Sequence, residues 1–232
     1  MPDWNLSLVG DVALRISFGE GIDLLGNSEA VRCAECIRQR QIVGVLDVVP
    51  SYSSVTVHFH QLRTDLENLI KEIESIAVQV SASTVEAIKR RVREIVIPVC
   101  YGGLFGPDLS LVADFADCSQ PEVVKRHLGS TYRVYMMGFL PGFAYMAEVE
   151  SSISMPRRST PRLSVPSGSV GIAGRQTGIY PLDAPGGWRL VGRTPLQVYS
   201  TGVGDTFLLK PGDAVRFRAI DQAEFKKLSA ET

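Results

Sequence analysis

Between Pro166 and Trp188 the chain reads PSGSVGIAGRQTGIYPLDAPGGW. Glycine stands at positions 168, 171, 174, 178, 186 and 187, and proline at 166, 181 and 185. No helix of ordinary length runs through such a stretch. Each glycine adds backbone freedom that folding must remove, and each proline removes a hydrogen-bond donor. Short strands and tight turns are what remain. Glycine-rich backbone also lets a ligand come close to its N–H groups. On these residues alone, the turns of a small barrel and the cradle of a ligand are both open readings.

The segments around this stretch have the same grammar. TYRVYMMGF, FAYMA, GSVGIAG, QTGIYP, WRLVGRT, LQVYS and DAVRFRAI are short apolar runs separated by turn residues, which predicts a closed or nearly closed β-barrel. Two short helices are expected near 107–116 and 121–128, where Pro107 and Pro121 suit a first helical turn. DQAEFKKLSA reads as a closing helix.

The first part of the chain reads differently. WNLSLVGDVALRISFG gives two strands joined at Gly10-Asp11, and residues from about Leu24 to Arg40 give a helix with Ala30, Val31, Ala34 and Ile37 on one side. A second hairpin turns near Pro50-Ser51. A second helix carries Leu66, Leu69, Ile70, Ile73, Ile76 and Ala77 on one stripe. The order ββαββα predicts an antiparallel sheet with helices on one face. The expected organisation is an α+β domain over residues 1–92 and a mainly β barrel domain over 93–232. Arg90, Arg91 and Arg93 fall at the junction and read as a basic surface linker.

The chain of 232 residues has a formal net charge of −1, which gives no footprint for nucleic acid. No apolar run approaches a membrane span, and MPDWNLSLVGD has no basic start followed by an apolar core, so a cytoplasmic protein without a membrane partner is expected. Cys33 and Cys36 form a C-x-x-C, but inside a helical pattern, which favours buried thiols over redox chemistry. Cysteines 33, 36, 100 and 118 do not form a disulfide framework, and no second Cys/His pair stands at zinc-ligand spacing. His58 and His60 share one face of a strand and read as solvated, with His127 far along the chain in a helical segment.

There is no G-x-x-x-x-G-K-[ST], and GVGDTF at Gly202 lacks the third glycine of a dinucleotide fingerprint. No G-x-S-x-G and no H-E-x-x-H appear. GGLFGPDLS can offer helix N–H groups to an anion, but Asp108 in the first turn is expected to satisfy the dipole itself. Three segments stay polar and unusual. GFLPGFAYM can form the aromatic wall of a pocket or a core bend. MPRRSTPRLSVPSG sets Arg157, Arg158 and Arg162 among prolines that stiffen the backbone, a setting for carboxylate or phosphate binding. The opening stretch adds Arg175, Gln176, Thr177 and Tyr180 between glycines. Together they predict a pocket for a small polar acid or amide: Arg157, Arg158 and Arg175 as anion clamps, Gln176 and Thr177 orienting an amide, Tyr180 as wall or hydroxyl donor. No nucleophile or general base accompanies them, so catalytic residues are not assigned, no metal is expected, and the site is expected to be completed by another chain.

YGGLFGPDL, GFLPGFAYM and the run from Pro156 to Pro195 together resemble the KipI / allophanate hydrolase subunit 1 family, and the likeness covers essentially the whole chain. The resemblance implies a cyclophilin-like barrel and a partner of the KipA / allophanate hydrolase subunit 2 type. It implies one component of an ATP-dependent 5-oxoprolinase that opens 5-oxo-L-proline to L-glutamate with KipA-type and LamB/YcsF-type subunits and is inactive alone, ATP being held elsewhere than in a P-loop of this chain. It leaves two alternatives: an inhibitor of a sensor histidine kinase, and a carboxyltransferase component like those of allophanate hydrolase and urea carboxylase.

Overall fold

The structure is a computed structural model that describes residues 4–88, 92–202 and 206–231. Arg90 and Arg91 of the expected linker, and Val203, Gly204 and Asp205 of GVGDTF, lie outside the described residues. The chain divides into two units, Met1–Arg91 and Val92–Thr232.

The first unit follows the order β1 (Asn5–Leu8), β2 (Ala13–Ser17), α1 (Leu24–Arg40), β3 (Val45–Pro50), β4 (Ser54–Phe59) and α2 (Leu66–Ile88). Its sheet has the order β1-β2-β4-β3, antiparallel throughout. Leu14 opposes Val57 and Ile16 opposes Val55, so one face of the sheet is apolar and buried. Arg15 opposite Thr56 lies on the other face. The helices cover the apolar face with Ala30, Cys33, Ala34 and Ile37 of α1 and Leu69, Ile73, Ile76 and Val80 of α2. Asp23 caps α1 by accepting from the Gly26 N–H at 2.6 Å. Cys33 belongs to this core: burial, with Cys36 and Glu29 nearby, pushes its thiol up to about 12, which leaves it inert.

The second unit contains β5 (Glu94–Tyr101), α3 (Leu109–Phe115), α4 (Gln120–Leu128), β6 (Tyr132–Met137), β7 (Ala144–Ala147), a 3-10 turn at Ser151–Ile153, β8 (Arg162–Val165), β9 (Ser169–Ala173), β10 (Gln176–Ile179), β11 (Ala184–Gly186), β12 (Arg189–Arg193), β13 (Ala214–Ile220) and α5 (Gln222–Glu231). Seven strands form a closed barrel in the order β10-β7-β6-β13-β5-β12-β9, sealed by the β9–β10 hairpin. β13 and β5 run parallel, and the other barrel pairs are antiparallel. Ile97, Val99, Tyr132, Val134, Met146, Ile172 and Val191 fill the interior. Each such residue, fully buried, stabilises the fold by about 1.5–3 kcal/mol before entropy is counted.

The glycines of the opening stretch serve this packing. Gly174 takes φ +57° at the β9–β10 turn, a conformation that side chains disfavour. A Cβ on Gly171 would sit 2.9 Å from the Cβ of Trp188, so only glycine lets β9 lie against that ring. Two expectations change. LQVYS forms no strand; only Tyr199 bridges, to Phe207. The proline-rich RLSV and the segment around Pro185 instead pair as a separate two-stranded sheet, β11-β8. No helix of the described residues is long and apolar enough to cross a membrane.

Candidate functional site

The proline-rich arginines are organised by Asp108. This carboxylate is 2% exposed and stands just before α3. Its Oδ1 accepts from Arg162 Nη2 at 2.7 Å and lies 3.7 Å from Arg158 Nη1, while Oδ2 accepts from the Leu190 N–H at 2.8 Å. Asp108 makes no capping bond to α3, so its expected role at the helix dipole gives way to one in tying α3, β8 and β12 together. In the loop before it, a Cβ on Gly106 would lie 2.0 Å from the Val191 carbonyl oxygen, so that glycine is packed against β12. Arg158 is held further by its own N–H to the Gly187 carbonyl at 2.7 Å. Arg189 and Arg193 likewise donate to the backbone of Pro156 and Ser167. Arg157 is exposed, and its charge acts on the phenols of Tyr145 and Tyr180.

The hairpin residues divide between surface and interior. Arg175 is exposed at the β9–β10 turn and pairs with Glu148. Gln176 is half-buried in β10. Tyr180 is 1% exposed, packed with Phe143, Val165, Trp188 and Leu190; burial pushes its phenol up, against the pull of a hydrogen bond with the Trp188 backbone and of Arg157. Thr177 is fully buried. Its hydroxyl donates to the Gly171 carbonyl at 2.9 Å and lies 3.0 Å from His127 Nε2, whose Nδ1 is 2.8 Å from the Tyr101 hydroxyl. One proton arrangement satisfies all of these groups. Tyr101 donates to Nδ1, and the Nε2–H donates to Thr177, which donates to Gly171. His127 stacks on Phe217 at 4.7 Å, and burial lowers its pKa to about 3, so the imidazole is neutral. This relay has every partner it needs and presents no free atom to a substrate.

The structure thus leaves Arg157 exposed within electrostatic reach of Tyr145 and Tyr180, places Arg175 and Gln176 at a hairpin turn, and buries Thr177 in the barrel and Tyr180 in the separate cluster of Phe143, Val165, Trp188 and Leu190. GFLPGFAYM also divides. Phe143 is buried edge-to-face with Tyr145, Tyr180 and Trp188. Phe139, at φ +68° and 62% exposed, stands over a pocket of about 420 Å³ formed with Leu140, Pro141, Phe207, Leu209 and Lys210. Among the described residues no three His, Cys, Asp or Glu side chains are placed to hold a metal. Asp108 and His127 are the polar centres whose roles sequence reasoning did not foresee. For His127 a signal was present: it lies four residues after Val123, on the buried stripe of α4.

Residues 4–209 match the family model of the carboxyltransferase domain, subdomains C and D. The 5-oxoprolinase B subunit of Bacillus subtilis (strain 168) is 36% identical over 99% of this chain and 98% of its own length. That of Escherichia coli O157:H7 is 38% identical over 90% of this chain and 93% of its own. The crystal structure of TTHA0988 matches with a TM-score of 0.80 at 36% identity, over 90% of this chain and 40% of that one, so this chain spans about two fifths of that protein. Kluyveromyces lactis urea carboxylase shares the fold, with a TM-score of 0.75 at 18% identity over 99% of this chain and 23% of its own. In sequence and in architecture alike, the chain belongs to the carboxyltransferase subdomain C and D family, among relatives named as the B subunit of 5-oxoprolinase.

Proposed function

We propose that the chain is the B subunit of an ATP-dependent 5-oxoprolinase, opening 5-oxo-L-proline to L-glutamate with a KipA-type and a LamB/YcsF-type partner. The observation that carries this reading is the match to 5-oxoprolinase B subunits along nearly their whole length as well as its own. The local chemistry agrees with a shared site. The surface arginines suit the carboxylate of 5-oxoproline, while the buried relay is closed and no activated nucleophile accompanies them. Arg158 and Arg162 are engaged by Asp108, and the sequence has no P-loop motif. In this reading ATP binding falls to the other subunits, and this chain alone is inactive. On the same reading Arg157 and Arg175 hold the substrate carboxylate, Arg158 and Gln176 assist them, and Thr177 in the barrel and Tyr180 in the cluster with Phe143 and Trp188 support them from behind.

Reconstitution tests this. The three subunits are mixed with 5-oxo-L-proline and ATP, and ADP and glutamate are followed. Full turnover requires all three, and a mixture no faster than the two partners alone overturns the assignment. Arg157→Ala raises the KM for 5-oxoproline roughly tenfold, one charge-assisted contact, with the protein still folded. An unchanged KM removes Arg157 from the site.

A further inference from the structure

The open face of the first unit's sheet carries a hollow of about 660 Å³. Trp4, Asn5, Arg15, Ser17, Glu20 and Ser53 line it. Arg15 projects from the middle of β2, with Ser7 paired on one side and Thr56 on the other. A strand flanked on both sides holds its side chains more firmly than a loop does. Glu20 stands between Gly19 and Gly21, in the turn that leads from β2 towards α1. That turn is pinned: the Ser53 hydroxyl donates to the Gly19 carbonyl at 3.0 Å, and the Phe18 N–H donates to the Ser53 carbonyl at 2.7 Å. Trp4, half-buried against the core, gives the hollow an apolar wall.

Arg15 and Glu20 are both exposed, and neither side chain enters a hydrogen bond or ion pair among the described residues. One cation and one anion facing the same hollow select against simple ions of either sign. A phosphate meets Glu20, and an amine without a carboxylate meets Arg15. A ligand carrying both charges a few bonds apart satisfies both. The guanidinium takes a carboxylate as a fork, and the Glu20 carboxylate takes an ammonium. Asn5, Ser17 and Ser53 add short polar groups to the lining, and the indole offers its surface to an aliphatic or aromatic side chain.

We propose that this hollow is a binding site for a free zwitterionic α-amino acid, its carboxylate on Arg15, its ammonium on Glu20 and its side chain against Trp4. The site lies wholly within the first unit, and the proposal stands independently of the 5-oxoprolinase reading. The test is titration of the full chain with L-glutamate and L-phenylalanine, and with their N-acetyl and α-amide derivatives. The readouts are calorimetry and the Trp4 indole N–H resonance, identified by its loss in Trp4→Phe. At least one free amino acid is expected to saturate at millimolar concentration, shift that resonance, and bind roughly tenfold more tightly than either blocked derivative. Arg15→Met and Glu20→Gln each weaken the free amino acid by a similar factor, and Glu20→Gln leaves the N-acetyl form unaffected. A well-dispersed spectrum for each variant shows that the fold is kept. Absence of saturable binding overturns the proposal, as does equal binding of blocked and free forms or indifference to Arg15→Met. Because no partner protein is present in this assay, its failure leaves the reconstitution result untouched.

Discussion

His127 holds its place in the barrel by giving one hydrogen bond and taking another, both away from water. Thr177→Val keeps the shape of the side chain but leaves the Nε2–H without an acceptor. We expect a loss of roughly 1–3 kcal/mol, read as a lower urea midpoint with an unchanged slope. The same histidine sets a pH dependence. Its pKa falls from the ordinary 6.5 to about 3 on folding, because burial disfavours the charged ring. Between those values the unfolded chain holds more protons than the folded one, so stability rises with pH over that window and is complete above it. His127→Gln keeps hydrogen-bonding capacity without the titration. Its stability profile is expected to be flatter there, by at most about 1.4 kcal/mol per pH unit. Thr177 and Tyr180 looked like ligand contacts in the sequence because hydroxyls among glycines suit that task. Alternation gave no warning, since Thr177, Gly178 and Ile179 are all buried in succession and both faces of β10 are covered.

At the level of elements, Asp108 is the fastening between the start of α3, strand β8 and strand β12. Asp108→Ala strips the Leu190 N–H of its partner and leaves the Arg162 guanidinium, only 22% exposed, without its carboxylate. The expected cost is roughly 2–4 kcal/mol, below a fully buried pair because the arginine keeps some solvent. Hydrogen exchange should quicken at Leu190 and along β8 and β11. Unchanged protection there would show that the carboxylate is dispensable. The strands and helices of the first unit were legible because their apolar periods are clean: 24–40 was readable as α1 from Ala30, Val31, Ala34 and Ile37. β8 and β11 were not legible. Proline is excluded from central strands, and here Pro185 sits inside β11, which the fold permits because that strand pairs on one side only. LQVYS erred in the opposite direction, having strand-forming residues but no neighbouring strand to pair with beyond the bridge at Tyr199.

On the scale of the whole molecule, each unit has its own core, the first built on Leu14, Ile16 and Ile73, the second on Ile97, Tyr132 and Met146. The broad architecture was readable because glycine and proline change the grammar of the chain where the barrel begins. The barrel's closure was not, because nothing local says that β5 and β13, some 120 residues apart in register, lie side by side (Ala214 beside Glu94, Ile220 beside Cys100). That parallel seam gives the chain a timetable. In the first unit, every strand pair forms between segments made close together in time. The barrel must wait, because β13 is wedged between β5 and β6: β6 can pair with β7 and β5 with β12 earlier, but the ring cannot close until residue 220 has left the ribosome. A nascent chain halted before Ala214 should therefore show protected amides in β2 and β4 and unprotected ones over residues 94–99 of β5, whose ladder partner is β13. During synthesis the barrel is the part that depends on shelter from aggregation, and the first unit, already folded, is the part that does not.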